Sequence, residues 1–322
     1  MNTPFDDMPF DDIAFDGRLF DRRHVRRAFS RASSSYADAA KLQHEVEARL
    51  LESLDYYEEG RAADAKTPSL VVDLGCGPGG AARAIQRRWP KAQVLALDLA
   101  LPMLRTHPDA GGLARTFARV GLGARMPARV CADARALPLT EHSVDLLFSN
   151  LCLQWIEDLP AVFAGFRRVL KPNGMLVLST FGPDTLHELR DAFAQADAVP
   201  HVSPFASIAQ FGDALIGSGF RNPVLDRDEL VTRYDDLPAL MRELRAIGAT
   251  NALRARRHTL TGKARFAAAA RAYEHHRDTD RLPATWEIIT ALAWAPEHGV
   301  PIREGGEDIA RFPASGIPVR RR

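Results

Sequence analysis

Val72-Asp73-Leu74-Gly75-Cys76-Gly77-Pro78-Gly79-Gly80 decides how this chain is read. An apolar run ends at an acid, glycines turn the backbone, and Ala81 to Trp89 continues with helical spacing. Glycine lets the chain turn sharply and lets bare backbone approach a ligand. Exposed N–H groups at the helix start favour negative charge. Leu70 to Leu74 reads as a strand, and so do Gln93 to Asp98, Ala128 to Asp133, Val144 to Ser149 and Met175 to Phe181. Leu159 to Leu170 reads as a helix between the last two. Such alternation predicts an α/β fold with parallel strands and crossover helices. The first strands lack polar alternation, as expected for a sheet covered on both faces.

Outward from this centre the pattern changes. Residues 1–20 read as a disordered acidic tail, with five Asp and no Lys or Arg in residues 1–16. Residues 21–66 form an N-terminal helical segment, in which Leu42, Val46, Leu50 and Leu54 share one face, and EEGRAADAKTP is its linker. The sheet domain spans 67–234 and includes a helix over Ser207–Ser218, closed by Gly219, and a strand over Pro223–Tyr234. Residues 235–284 form a helical lid insertion, with helices over Leu237–Ile247 and Gly262–His275, longer than an ordinary connection. The last strand of the sheet lies in 285–297, and 298–322 reads as a flexible tail.

The 322 residues are 46% hydrophobic and 26% charged, and 42 Lys and Arg against 41 Asp and Glu leave a net charge of +1. This balance argues against a chain that coats nucleic acid. No apolar run is long enough for a membrane span, and the N-terminus lacks the features of a secretory signal. Cys76, Cys131 and Cys152 read as buried thiols of a cytoplasmic protein, with no zinc or disulfide framework. No metal is expected.

Two cofactors compete for the glycine loop. Gly75, Gly77 and Gly80 fit the dinucleotide spacing, while Gly75, Gly77 and Gly79 fit a tighter one. Asp73 favours a ligand bearing an ammonium and a sulfonium, such as S-adenosylmethionine, over a pyrophosphate. Asp98, at the end of the second strand, is placed to accept from two ribose hydroxyls, with Leu99 beside it. Asp133, at the end of the third, is placed to take an adenine amino group, with Ala134 beside it. The alternative is that these acids cap the following helices.

DLGCGPG, LALDLA, CADARALPL and SVDLLFSNLCLQW, followed by RVLKPNGMLVLSTF, resemble the successive motifs of Rossmann-like class I S-adenosylmethionine-dependent methyltransferases over about residues 70–182. A narrower resemblance covers most of the chain. RRAFSRASSSYADAAKLQHEV, SNLCLQW, STFGPDTLHELR, HVSPF, LMRELRAIGATNA, LTGKARF, YEHHR and LPATWEI are similar to the malonyl-acyl-carrier-protein O-methyltransferases of biotin synthesis. That resemblance implies methyl transfer to the free carboxylate of a malonyl thioester, on acyl carrier protein or coenzyme A. It also implies that Tyr36 stands over the methyl end of the cofactor. Asn150, Gln154 and Trp155 follow the fourth strand at the crevice rim. Asn150 is expected to serve the cofactor, Gln154 to act with Tyr36 in catalysis, and Trp155 either to wall the pocket or to pack in the core. An arginine is expected to hold the malonyl carboxylate. The DTLHELR and HVSPF segments are also similar to arginine hydroxylases that assist respiratory complex I. That function, or a quinone-like small-molecule methyltransferase, is the alternative reading.

The lid is basic. Residues 240–271 hold Arg242, Arg245, Arg254, Arg256, Arg257, Lys263, Arg265 and Arg271 against Glu243 alone. A local cationic surplus suits docking of an acidic acyl carrier protein, whereas the absence of interleaved aromatics disfavours RNA. The plainer alternative is a solvated helix surface.

Overall fold

The computed structural model describes residues 19–59, 67–107, 125–259, 261–278 and 280–297, with the backbone of 302–304 and 307–309. The expected acidic tail up to residue 18, the linker at 60–66 and most of 298–322 lie outside the described residues. The N-terminal segment carries α1 (Arg22–Ala32), α2 (Tyr36–Ala39), α3 (Lys41–Glu52) and α4 (Asp55–Glu58). Then follow β1 (Leu70–Leu74), α5 (Gly80–Arg88), β2 (Gln93–Asp98), α6 (Leu101–Arg105), β3 (Ala128–Cys131) and β4 (Val144–Ser149). The chain continues through α7 (Leu159–Val169), β5 (Leu170–Phe181), α8 (His187–Ala194), α9 (Ile208–Gly217) and β6 (Arg221–Tyr234). The inserted lid holds α10 (Leu237–Ala246) and α11 (Lys263–Tyr273), and β7 (Leu282–Trp294) returns to the sheet.

One sheet has the order β3-β2-β1-β4-β5-β7-β6. The first five strands are parallel, and β7 runs antiparallel to both β5 and β6. The order reverses between β1 and β4, so a crevice opens at their carboxyl ends, where this architecture binds ligands. Alternate residues of the central strands face opposite cores. Val72 and Leu74 pack with Phe163, Phe166 and Phe211 on one side, while Val71, Val94 and Phe148 pack with Ile85 and Leu50 on the other. Polar caps set several helix starts: Asp21 accepts from His24 N at 3.1 Å, Asp236 from Ala239 N at 2.7 Å, and Ser207 with Gln210 forms a capping box.

The expected α/β sheet, N-terminal helices and lid are all present. Several local expectations change, and among them β5 begins at Leu170 rather than Met175 and β6 at Arg221 rather than Pro223. β3 stops at Cys131, two residues early, and Cys131 is exposed rather than buried. β7 begins at Leu282, because pairing with Tyr234 extends the hairpin-like ladder into the end of the lid. Within the expected C-terminal tail, Ile302–Glu304 pairs antiparallel with Glu307–Ile309.

The N-terminal segment and the lid meet directly. Phe20 bridges Leu253, Asp21 N donates to Ala252 O at 2.8 Å, and Arg254 N donates to Leu19 O at 3.0 Å. Ser35 Oγ donates to Ala246 O at 2.8 Å. Phe20, Val25, Ala252 and Leu253 form a small apolar cluster with Phe29 and Trp155 beside it. Together these contacts lay a cover over the crevice.

Candidate active site

Two cavities lie under this cover. The first sits at the crevice and is lined by Gly75, Gly77, Asp98, Leu99, Asp133 and Ala134 from the sheet edge. Val25, Phe29 and Tyr36 close it from above, and Leu151, Cys152 and Trp155 close its side. The second is lined by apolar side chains including Phe181, Leu189, Phe193 and Trp286, and by His24, Gln154, His201, Arg245, Arg256 and Arg257. Trp155 belongs to both linings, so it is the wall they share. Its ring is held edge-on by Phe29 at 5.5 Å and Phe20 at 6.0 Å.

The glycine loop is built for close approach. Gly75 has φ +70°, and a Cβ there would lie 2.6 Å from Cys152 Sγ. Gly77 has φ +49°, and its Cβ would meet only Tyr36, 3.7 Å away, so it would fill the first cavity. His107, unread in the sequence, supports the loop from beneath through Nε2, 2.9 Å from Gly77 O.

The helix start behind the loop is already occupied. Asp73 accepts from Ala82 N at 2.9 Å, and Glu47 accepts from Ala81 N. Burial raises the pKa of both acids. Two carboxyl groups on the first turn of α5 leave no place for a pyrophosphate, which would need those N–H groups. The donor set therefore rejects a dinucleotide in its usual pose. It fits a nucleoside with a cationic tail: bare glycine backbone, aromatic faces from Tyr36 and Trp155, and acids at the end of β2 and just past β3.

Asp98 and Asp133 are brought to the cavity as expected. Asp98 accepts from Gly77 N at 3.0 Å and Ala100 N at 2.7 Å, one per oxygen, which leaves lone pairs for a diol. Burial pushes its pKa up to about 6, against the pull of those two bonds. Asp133 accepts from Arg135 N at 3.0 Å and Arg135 Nη1 at 3.2 Å. Tyr36 lines the same cavity, and burial holds its hydroxyl protonated, aided by the charges of Asp98 and Glu47.

Three expected contacts lie elsewhere. Asp73 does not line the cavity, because its carboxyl turns to α5. Gly79, at φ +75°, packs over His107 and starts α5. Asn150 ties elements together: its Nδ2 donates to Gln43 O at 3.0 Å and its Oδ1 accepts from Ser179 Oγ at 2.8 Å. Gln154 lines the second cavity, where its Nε2 donates to Leu151 O at 2.6 Å while its buried Oε1 has no protein partner among the described residues.

The basic residues of the lid divide in two. Arg242, Arg254, Lys263, Arg265 and Arg271 are exposed, and Arg245 is exposed at the rim of the second cavity. Arg256 and Arg257 point inward. Arg256 pairs with Asp21 at 3.0 Å, and Arg257 grips Asp197 at 2.7 and 3.2 Å. Asp197 also meets His201 Nε2 at 3.2 Å, and the His201 ring stacks on Phe193 at 4.0 Å. Arg257, with His201, holds the Asp197 carboxyl well below its usual range.

Sequence reasoning missed Leu151, Cys152, Val25 and Phe29 as cavity residues. Val25 and Phe29, four apart on α1, carried a helical-face signal. Leu151 carried none: its φ of +46° follows from backbone and side-chain bonds to Ser179 across the sheet.

Comparison with known proteins agrees with this geometry. A family model described as a methyltransferase domain matches residues 72–178. Two proteins named malonyl-[acyl-carrier protein] O-methyltransferase are similar over nearly their full length. That of Xylella fastidiosa is 57% identical, covering 92% of this chain and 96% of its own. That of Laribacter hongkongensis is 42% identical, covering 89% and 94%. The crystal structure of the YcgJ protein from Bacillus subtilis superposes with a TM-score of 0.51 at 15% identity, covering 77% of this chain and 99% of that one, which supports the fold. The chain belongs to the malonyl-[acyl-carrier protein] O-methyltransferase family, S-adenosylmethionine-dependent enzymes built on the class I methyltransferase fold.

Proposed function

We infer that this chain methylates the free carboxylate of malonyl-acyl carrier protein, forming the methyl ester that enters biotin synthesis. The observation that carries this reading is the pair of cavities sharing Trp155: one with acids and glycines for the methyl donor, one apolar with arginines for an acidic acyl group. Bound S-adenosylmethionine would supply an electrophilic methyl on a sulfonium, whose bonding pair returns to sulfur as the ester forms.

The residues that would hold it are Asp98 at the ribose hydroxyls, Asp133 toward the base, and the Gly75–Gly77 backbone with Tyr36 at the sulfonium end. Leu99 and Ala134 pad the base. No general base is required, because a carboxylate is ionised at neutral pH with an ordinary pKa of about 4. The protein's task is to align one oxygen at roughly 3–3.5 Å from the methyl and keep water out, which can lower a barrier by about 7–11 kcal/mol. The apolar Phe181, Phe193 and Trp286 walls would disfavour water at the acyl group, and Trp155, shared by both cavities, would shape the approach. A protonated Tyr36 offers a donor without a competing negative charge.

The exposed Arg242, Arg254, Lys263, Arg265 and Arg271, with Arg245 at the rim, would steer the acidic carrier. Among the described residues no helix is long and apolar enough to cross a membrane. The arginine-hydroxylase and quinone readings are not favoured, since the relatives compared above bear the malonyl name. The test is transfer of radiolabel from the methyl of S-adenosylmethionine to malonyl-acyl carrier protein, with release as methanol in mild base. Base-stable label, or no transfer, would overturn the reading.

A further inference from the structure

Three cations line the second cavity as arginines, and their surroundings differ. Arg245 is exposed at the rim, where a carrier protein would arrive. The Arg257 fork is matched on both oxygens of Asp197, whose side chain is only 3% exposed. Pulling Arg257 away would strand that buried carboxylate, which is costly. Arg256 is different. Its Nη1 donates to Leu253 O at 2.8 Å, and its Nη2 meets Asp21 Oδ2 at 3.0 Å and His24 Nδ1 at 3.4 Å. A guanidinium has five N–H groups, so two are left without a protein partner among the described residues. The side chain is 13% exposed, and the groups fixing it hold it in one orientation.

Position also separates the two inward arginines. Asp21 and His24, which hold Arg256, cap and begin α1, and the next turn of that helix supplies Val25 and Phe29 to the cofactor cavity. Asp197 and His201, which hold Arg257, belong with Phe193 of α8, and none of these three lines the cofactor cavity. The reacting carboxylate must lie at the cofactor side.

Resting on the proposed function, we propose that Arg256 is the anchor of the substrate carboxylate, and that Asp21 is a resident carboxylate that shares the same guanidinium. The substrate arrives as an anion and finds two free N–H groups on a rigid cation. Methylation removes its charge. The neutral ester no longer competes with Asp21 for the guanidinium and is released. Arg256 thus sets the preference for a charged acyl group over its own product, and Asp21 tempers the grip on the substrate.

The experiment uses the full chain, malonyl-acyl carrier protein as substrate, and its methyl ester as competing product. Arg256→Gln is expected to raise KM for the malonyl thioester by roughly 30-fold or more. It should leave inhibition by the methyl ester and the dissociation constant for S-adenosylmethionine within about 3-fold. Arg256→Lys should recover part of the loss. Asp21→Asn keeps a capping side chain on α1 and removes the competing charge. It is expected to lower KM for the malonyl thioester several-fold, with no gain for the ester. A merely structural tie would make both variants weaken substrate and product alike, and that result overturns the proposal. An active wild type with unchanged selectivity in Arg256→Gln defeats the anchor alone; an inactive wild type defeats the methyltransferase reading itself.

Discussion

Replacing Asp98 by Asn tests the cofactor site at its most constrained residue. In the free protein the carboxylate is costly, because burial raises its pKa from 3.8 to about 6. Full desolvation at that shift would cost roughly 3 kcal/mol at neutral pH, and the open cavity side trims this to about 1–3 kcal/mol. Asparagine removes that cost but accepts at one oxygen only, so either Gly77 N or Ala100 N loses its partner, at about 1–3 kcal/mol. The two changes nearly cancel, and the unliganded variant should melt close to the wild type at pH 7.5. Cofactor binding does not cancel. Two hydrogen bonds from ribose hydroxyls to a charged acceptor are worth about 1.5–3 kcal/mol each, so the dissociation constant should rise roughly 100-fold or more. The pH dependence gives an independent check. A carboxyl whose folded pKa is raised adds stability below its unfolded value and loses it as pH rises through the folded value. Wild type should therefore lose stability relative to Asp98→Asn between about pH 4 and pH 6, while its cofactor affinity falls as pH drops below about 6. Melting curves across pH and isothermal titration with S-adenosylmethionine measure both. Unchanged affinity in the variant, or a stability difference flat in pH, would refute the reasoning.

The two loop glycines should separate stability from binding. Gly75→Ala adds a Cβ 2.6 Å from Cys152 at φ +70° and should destabilise the fold by about 2 kcal/mol or more, whereas Gly77→Ala should cost about 1–2 kcal/mol but weaken cofactor binding more than 10-fold by filling the cavity. Charge reversal of Arg242, Arg254 and Lys263 together should raise KM for malonyl-acyl carrier protein more than for malonyl-coenzyme A, with the difference shrinking at high salt; equal effects would remove the docking role. Tyr36→Phe should lower kcat by a few-fold to about 10-fold while moving cofactor affinity less, since a single neutral donor is lost; steady-state kinetics beside calorimetry resolves the two.

The sheet was legible because its signals are local. Apolar runs without alternation, the glycine turn and intervening helical periods require only neighbouring residues, and β1, β2 and β4 begin and end where those signals do. The two strands flanking the long insertion were legible too, but not their antiparallel pairing, which depends on contacts across the insertion. Helix α8 was not: HELRDAFA is short and follows Leu186, held at φ +54°. The acids show how far residue type can be trusted. Asp73, Asp98 and Asp133 look alike in sequence, yet Asp98 reaches the cavity from the end of β2 and Asp133 from two residues past β3, while Asp73, one residue inside β1, turns to α5. A strand alternates its faces, so one position decides whether a carboxyl meets ligand or helix. The basic stripe misleads for a different reason. Arg256 and Arg257 are adjacent in sequence, but their partners Asp21 and Asp197 come from distant segments, and no spacing rule announces such pairs.

Those distant pairs explain how an apolar chamber can receive an anion. A bare carboxylate entering the space between Phe181, Phe193 and Trp286 would face a large desolvation penalty. An unpaired arginine waiting there would carry the same penalty beforehand. Here each inward arginine is neutralised by its own acid, so the empty chamber bears little uncompensated charge while the guanidinium groups stay fixed in place. The acid beside Arg256 stands on the helix that also roofs the cofactor cavity, and the arginine stands on the loop that roofs the acyl cavity. The ion pair is thus one of the seams joining the two halves of the cover. Backbone bonds from Asp21 to Ala252 and from Arg254 to Leu19 cross the same seam, so the cover holds when the ion pair alone is lost, and a transfer that depends on water exclusion needs both cavities closed at once.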